Sequence, residues 1–168
     1  MANSSMSGRH TVLMDTRGRI SFPAAYRAAI GEKLFISPDN RYRPFLVVRS
    51  EADYNAYRDQ LREEGLKNGD YIEDIEEDIL DFCMMTATVV PDKNGRITLP
   101  QDLIDFAHLT SGKAVVAGLV DHAVIWDELE MQKYEESRKA TRERRRHMMD
   151  LERAKRTRMR EAEVDGNE

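Results

Sequence analysis

Thirteen residues of this chain occur twice, and the repetition limits what the chain can fold into. Thr11-Val-Leu-Met-Asp-Thr-Arg-Gly-Arg-Ile-Ser-Phe-Pro23 returns 77 positions later as Thr88-Val-Val-Pro-Asp-Lys-Asn-Gly-Arg-Ile-Thr-Leu-Pro100, with seven of the thirteen identical. The same shift lays Leu46–Glu51 over Ala123–Glu128 and Tyr57 over Tyr134. Such a chain reads as two like units in one polypeptide, a pseudo-symmetric dimer presenting two like surfaces to a symmetric or repeated target.

The remaining pattern fills in each unit. In the first, an alternating strand over 10–14 leads through a turn at 15–18 to a short strand over 19–22. Pro23 then opens a helix that Gly31 stops. Strands follow over 33–37 and 45–49, and Ser50-Glu-Ala-Asp53 is a capping box that opens a helix to about Glu64. The second unit copies this order: strands over 86–90 and 96–99, a helix opened by Pro100, a hairpin across Val120-Asp121, and a second capping box at Asp127-Glu-Leu-Glu130.

Between the units, Gly65 and Gly69 are expected to break the chain. A helix follows, with Tyr71, Ile72, Ile75, Ile79 and Phe82 forming one apolar stripe. Its other face is acidic, with seven acids and no base from Asp70 to Asp81. That face reads as a solvated linker, or more sharply as a surface that repels nucleic acid and confines it elsewhere. The expected organisation is a disordered leader over 1–9, units over 10–64 and 84–137 around an acidic linker helix over 65–83, and a basic tail over 138–168.

The charge is unevenly placed. Residues 1–137 hold 15 Lys and Arg against 24 Asp and Glu, whereas residues 138–160 hold 11 against 3. The formal net charge of −5 therefore hides a strongly basic segment. The tail is expected to continue as a long helix past Arg160, with the last eight residues disordered and no apolar stripe after Tyr134. Such helices are often merely solvated, but the contiguous Arg144, Arg145 and Arg146 favour non-specific contact with phosphate. The single cysteine, Cys83, excludes an internal disulfide framework and suits a reducing compartment. No apolar run reaches a membrane span and no signal-peptide pattern opens the chain, so no membrane partner and a cytoplasmic location are expected.

The chemistry lies in Asp-x-x-Gly-Arg-Ile-x-x-Pro. Asp15 and Asp92 can accept backbone N–H bonds within the turn. Gly18 and Gly95 can take the positive φ that a tight turn demands. Ile20 and Ile97 face the core, and strand alternation puts Arg19 and Arg96 on the opposite face. Those arginines have two readings: an ion pair with the motif aspartate that stiffens the turn, or contact with DNA phosphates and guanine edges, which suits the planar guanidinium fork. The tandem occurrence favours the second.

Two such motifs about 77 residues apart, with Trp126-Asp127 closing the second unit, resemble the MraZ family. These are bacterial transcriptional regulators of the division and cell-wall gene cluster, similar to the AbrB group of swapped-hairpin DNA-binding proteins. The resemblance covers residues 8–136. It implies an α+β, β-rich fold in which two AbrB-like units form a small barrel with peripheral helices; the long C-terminal helical tail, basic after about Arg138, exceeds the usual end of the family. It further implies ring-like homo-oligomers, association with the nucleoid, and binding of repeated short elements in double-stranded promoter DNA. Carried over, the DNA-facing positions are Arg17, Gly18 and Arg19 in the first turn and Lys93, Asn94, Gly95 and Arg96 in the second. The family turn usually has Lys before Gly. Here Arg17 and Asn94 stand there and Lys93 lies one position earlier, so the halves are expected to contact DNA unequally. Arg9 and Arg27 are candidates to lie near the turns.

Two rival functions compete with this reading. None of His10, His108, His122 and His147 has a nucleophile elbow or metal-ligand spacing, no phosphate loop is present, and Cys83 reads as a buried small hydrophobe. Neither catalysis, nor a metal, nor a cofactor is expected. The other rival is an oligomeric interaction scaffold without specific DNA binding, which the acidic body favours because DNA binders are usually basic.

Overall fold

The computed structural model describes residues 6–41 and 43–165, with side chains considered up to Met159. Residues 1–5 of the expected leader therefore lie outside the described residues, as do the last three of the tail; the rest of the leader is ordered, because Met6 is buried in the core and exchanges backbone hydrogen bonds with Val120. Residues up to Met131 form one compact unit and Gln132 onward a second.

The first repeat contributes β1 (Arg9–Leu13), β2 (Arg19–Ser21), α1 (Ala24–Ile30), β3 (Leu34–Pro38), β4 (Phe45–Arg49) and α2 (Glu51–Asn68). After α3 (Ile72–Met84), the second contributes β5 (Ala87–Val89), β6 (Arg96–Thr98), α4 (Gln101–Phe106), β7 (Lys113–Leu119), β8 (His122–Asp127) and α5 (Glu128–Asp165). Six strands form one antiparallel sheet in the order β1-β7-β8-β4-β3-β5, and β2 pairs with β6 in a separate ribbon. Exchanging each strand for its counterpart in the other repeat turns the six-strand order into its own reverse. The pairing also crosses between repeats, β1 with β7 and β5 with β3.

The expected closed barrel is not formed. β1 and β5 are the two edges of the sheet and do not pair with each other, while β2 and β6 leave the sheet and pair with one another, β2 keeping an antiparallel bridge from Ile20 to Met14 just beyond β1. The fold is an α+β arrangement around an open sheet.

Central strands β4 and β8 are buried on both faces. Leu46, Val48 and Ile125 enter the main core with Ile20, Phe22, Ile97 and Leu99, whereas Phe45, Val47, Val124 and Trp126 form a second cluster that Met131 covers. Continuous apolar runs rather than strict alternation are what such strands require. Trp126 packs on Phe45 with ring centroids 4.4 Å apart.

The helix ends follow local chemistry. Ser50 Oγ accepts from the Asp53 N–H at 3.1 Å, one half of the expected capping box. At the start of α5, Asp127 Oδ1 accepts from the Leu129 N–H at 2.9 Å, and its Oδ2 accepts from Thr110 and Ser111. Burial pushes the Asp127 carboxyl up, but the Ser111 and Leu129 donors outweigh it and hold it below the usual carboxylate value.

Gly65 does not break the chain. It sits inside α2, buried where a Cβ would lie 2.6 Å from Ile75 Cγ1, so its lack of a side chain lets α3 approach. Gly69, at φ 82, ends the helix instead. The apolar stripe of α3 is narrower than expected: Ile75 is buried and Ile79 and Phe82 half-buried, whereas Tyr71 and Ile72 are exposed. Cys83 is half-buried rather than buried. The tail is helical through Asp165, further than expected.

Candidate nucleic-acid interface

The two motif turns close in the same way. In the first, Asp15 Oδ1 accepts from the N–H groups of Arg17 and Arg19 at 2.9 and 3.0 Å. In the second, Asp92 Oδ1 accepts from Asn94 and Arg96 at 2.8 and 2.9 Å. Gly18 (φ 72) and Gly95 (φ 75) lie in the left-handed region, and each donates its N–H to the carbonyl of its motif aspartate. The backbone N–H of Arg19 is the main reason the Asp15 carboxyl stays below its ordinary value, and that of Arg96 does the same for Asp92.

The turns lead into one ribbon. In β2–β6, Ile20 lies opposite Ile97, Arg19 opposite Thr98 and Ser21 opposite Arg96. Both isoleucines are buried in the core. Strand alternation therefore puts Arg19, Ser21, Arg96 and Thr98 together on the outer face. Arg19 and Arg96 are diagonal neighbours across it, a relation that places Cα atoms about 7–8 Å apart in antiparallel pairs.

Each arginine also meets its motif aspartate, as the first reading of these residues requires. Arg19 Nε lies 2.7 Å from Asp15 Oδ2, and Arg96 Nε lies 3.6 Å from Asp92 Oδ2. The side chains remain 38% and 43% exposed, so the pairs add little stability. The Arg19 pair engages Nε. Its Nη1 and Nη2 donate no hydrogen bond among the described residues, and the same holds for Arg96. The carboxylate thus aims the guanidinium and leaves its outer edge free. An exposed two-stranded ribbon carrying two aimed arginines has the dimensions to enter a DNA major groove.

All seven sequence-predicted turn residues sit at these two turns. Arg17, Lys93 and Asn94 are exposed, while Gly18 and Gly95 are buried beneath them. The family profile described as "MraZ protein, putative antitoxin-like" matches residues 6–71 and 82–152. The chain belongs to the MraZ family. A curated relative from Arthrobacter sp. (strain FB24), named "Transcriptional regulator MraZ", is 30% identical over 120 residues, covering 71% of this chain and 80% of that protein. One of the same name from Mycobacterium avium (strain 104) is 30% identical over 130 residues, 77% of this chain and 86% of its own. One from Kocuria rhizophila is 29% identical over 133 residues, 79% and 88% respectively.

Two polar residues of this MraZ-family chain outside the predicted set stand on the same ribbon. Ser21 and Thr98 share the outer face with the arginines, and the period-2 alternation of β2 and β6 was the signal for them. Arg27 lies on α1, and its guanidinium covers Gly95 of the other repeat. In the tail, Arg144, Arg145 and Arg146 are exposed on α5, as is every residue from 132 to 159. Consecutive residues step about 100° around a helix, so the three arginines fan around α5 rather than line one face. No described helix is long and apolar enough to cross a membrane. Among the described residues, no group of three His, Cys, Asp or Glu is placed to hold a metal ion.

Proposed function

We propose that this protein is a sequence-specific DNA-binding transcriptional regulator that reads short repeated promoter elements of the bacterial division and cell-wall gene cluster. The observation that carries the reading is the β2–β6 ribbon, with Arg19 and Arg96 diagonal on its outer face and each aimed by a motif aspartate. Family membership and the names of the relatives support a regulatory role. Arg17, Gly18 and Arg19 serve one turn and Lys93, Asn94, Gly95 and Arg96 the other. Arginine edges read guanine, and backbone N–H groups and lysine hold phosphate.

The ribbon has a centre. Ile20 and Ile97 are 77 positions apart and pair directly, as do Val47 and Val124 on β4–β8. Two registers centred on equivalent residues are what a two-fold relation between the repeats produces, and it supports a reading head built from both halves. One ribbon covers a short site. A ring-like homo-oligomer would present several ribbons to consecutive repeats, and weak contacts would then add through effective concentration. The arginines of the tail supply sequence-independent phosphate contacts. The working location is the cytoplasm, at the nucleoid.

The rival is an oligomeric scaffold without specific DNA binding. One observation favours it: residues 1–137 hold nine more acids than bases. Titration of a fragment carrying the promoter of the chain's own operon, at two salt concentrations and against random DNA, separates the two. Salt-sensitive binding with a footprint over short repeats supports the regulator. Equal, negligible retention of both DNAs supports the scaffold.

A further inference from the structure

The two motif glycines are each covered by a residue from the other repeat, and the two covers differ in chemistry. β2 leads through Pro23 into α1, and β6 leads through Pro100 into α4. A Cβ placed on Gly18 would lie 2.6 Å from Ile104 Cδ1 on α4. One placed on Gly95 would lie 2.6 Å from both Nη1 and Nη2 of Arg27 on α1. Positions 27 and 104 are themselves 77 apart. The same slot on the two turns thus holds an aliphatic side chain in one half and a guanidinium in the other.

The slot accepts a hydrocarbon, as Ile104 shows, so packing does not explain an arginine there. Arg27 Nε is buried and has no hydrogen-bond partner among the described residues. Its Nη atoms make no hydrogen bond or ion pair among them either. Asp92 and Glu32 line the groove beside it, together with Ala24, Ala28 and Pro91, yet neither acid pairs with it. A guanidinium held at a turn with its donors unused is placed for a ligand that arrives from outside, and its planar fork suits phosphate oxygens.

The location completes the case. The first turn carries a cation, Arg17, directly before its glycine, and the second carries Asn94 there. Arg27 lies at the turn that lacks the charge.

We infer that Arg27 is the phosphate clamp of the second turn, reaching from α1 of the first repeat to a DNA backbone phosphate beside Gly95 and replacing the charge absent at Asn94. This rests on the DNA-reading role proposed above. The halves then hold DNA differently: Lys93, Arg96 and Arg27 anchor one side of the ribbon, and Arg17 and Arg19 the other. The half-site under the second turn is the more tightly held to its backbone.

The test is a salt series of binding to the promoter fragment, with Arg27→Ile, Arg27→Gln and Arg27→Lys measured beside Arg19→Ala in the full chain. Isoleucine is the residue that the equivalent slot already accommodates, and Gln keeps much of the stem without the charge. Loss of one phosphate contact should lower affinity about tenfold and reduce the slope of log K against log salt by about 0.9. Thermal midpoints of Arg27→Ile and Arg27→Gln should stay at or above that of the wild type, since an unpaired buried donor is removed. Arg27→Lys should keep the wild-type slope. If Arg27→Ile and Arg27→Gln keep that slope while Arg19→Ala loses binding, Arg27 only packs and the clamp is wrong. If Arg19→Ala and Arg96→Ala also bind as wild type, the DNA-reading role fails and the clamp falls with it.

Discussion

The carbonyl of Gly95 accepts a hydrogen bond from the Phe22 N–H at 3.0 Å, tying the turn of the second repeat to the strand end of the first. The reciprocal bond joins the Gly18 carbonyl to the Leu99 N–H at 2.9 Å. Each turn is therefore held by a backbone group of the other repeat, and Ile20 against Ile97 seals the ribbon from below. A guanidinium mounted on such a ribbon reaches its target with little backbone entropy left to lose, the general advantage of a preorganised binding surface.

The cross-braced glycines differ in what a side chain would meet, and Gly18→Ala should cost more than Gly95→Ala. Both are at positive φ, which alone costs about 1–2 kcal/mol for a residue with a Cβ. At Gly18 the new methyl also strikes packed Ile104 and approaches the Leu99 carbonyl oxygen to 3.2 Å. At Gly95 it meets the far end of Arg27, which can swing away. Urea unfolding of the two variants measures the difference; equal losses would mean that φ alone sets the cost.

Acid should loosen the turns. Asp15, Asp92 and Asp127 all hold carboxyls below the ordinary value of 3.8. A carboxylate depressed in the folded state contributes stability that is fully present above its unfolded value and lost as pH falls through the folded one. The loss should therefore begin near pH 3.8 and deepen below it, with no change from these groups between pH 5 and 8. Thermal midpoints measured from pH 7 down to pH 2 follow this. In Asp127→Asn, whose side chain cannot ionise, the acid limb should be shallower at the expense of stability at pH 7; an unchanged limb would exclude the Asp127 carboxylate as a contributor.

Removal of residues 138–168 should leave the body folded, because the compact unit ends at Met131 and the side chains from 132 to 159 are all exposed. The truncation should lower affinity for the promoter fragment and for random DNA by similar factors, and flatten the salt dependence of both. Replacement of Arg144, Arg145 and Arg146 by Glu is the finer version. An unchanged salt slope would make the tail a bystander, and an unfolded truncation would make it part of a core or subunit interface.

Much of the site was legible from residue types alone. Asp, Gly and Pro at fixed offsets carry their backbone chemistry with them, so Asp15, Gly18 and Pro23 and their copies announced two turns leading into helices. The burial of Ile20 and Ile97 followed from alternation. Strand partnership was legible only in the β7–β8 hairpin across Val120-Asp121. Alternation tells which face of a strand is buried but not which strand lies beside it, and nothing local in β1 or β5 points to β7 or β3. The open sheet was missed for the same reason. Gly65 was misread because its role depends on Ile75 of the neighbouring helix. The sequence places Arg27 only as a candidate near the turns; that its guanidinium covers Gly95 of the other repeat is set by the packing of α1.

The most direct test is equilibrium binding of the promoter fragment by Arg19→Ala, Arg96→Ala and the double variant, alongside their thermal midpoints. Each single change removes one guanidinium from the outer face of the ribbon and one weak exposed ion pair. The expected result is a loss of about 1–3 kcal/mol in specific binding for each, roughly ten- to a hundredfold, a larger loss for the double variant, and midpoints close to wild type. Wild-type affinity in both single variants and in the double variant would contradict the assignment of this ribbon as the DNA-reading surface and leave the arginines as braces of their own turns.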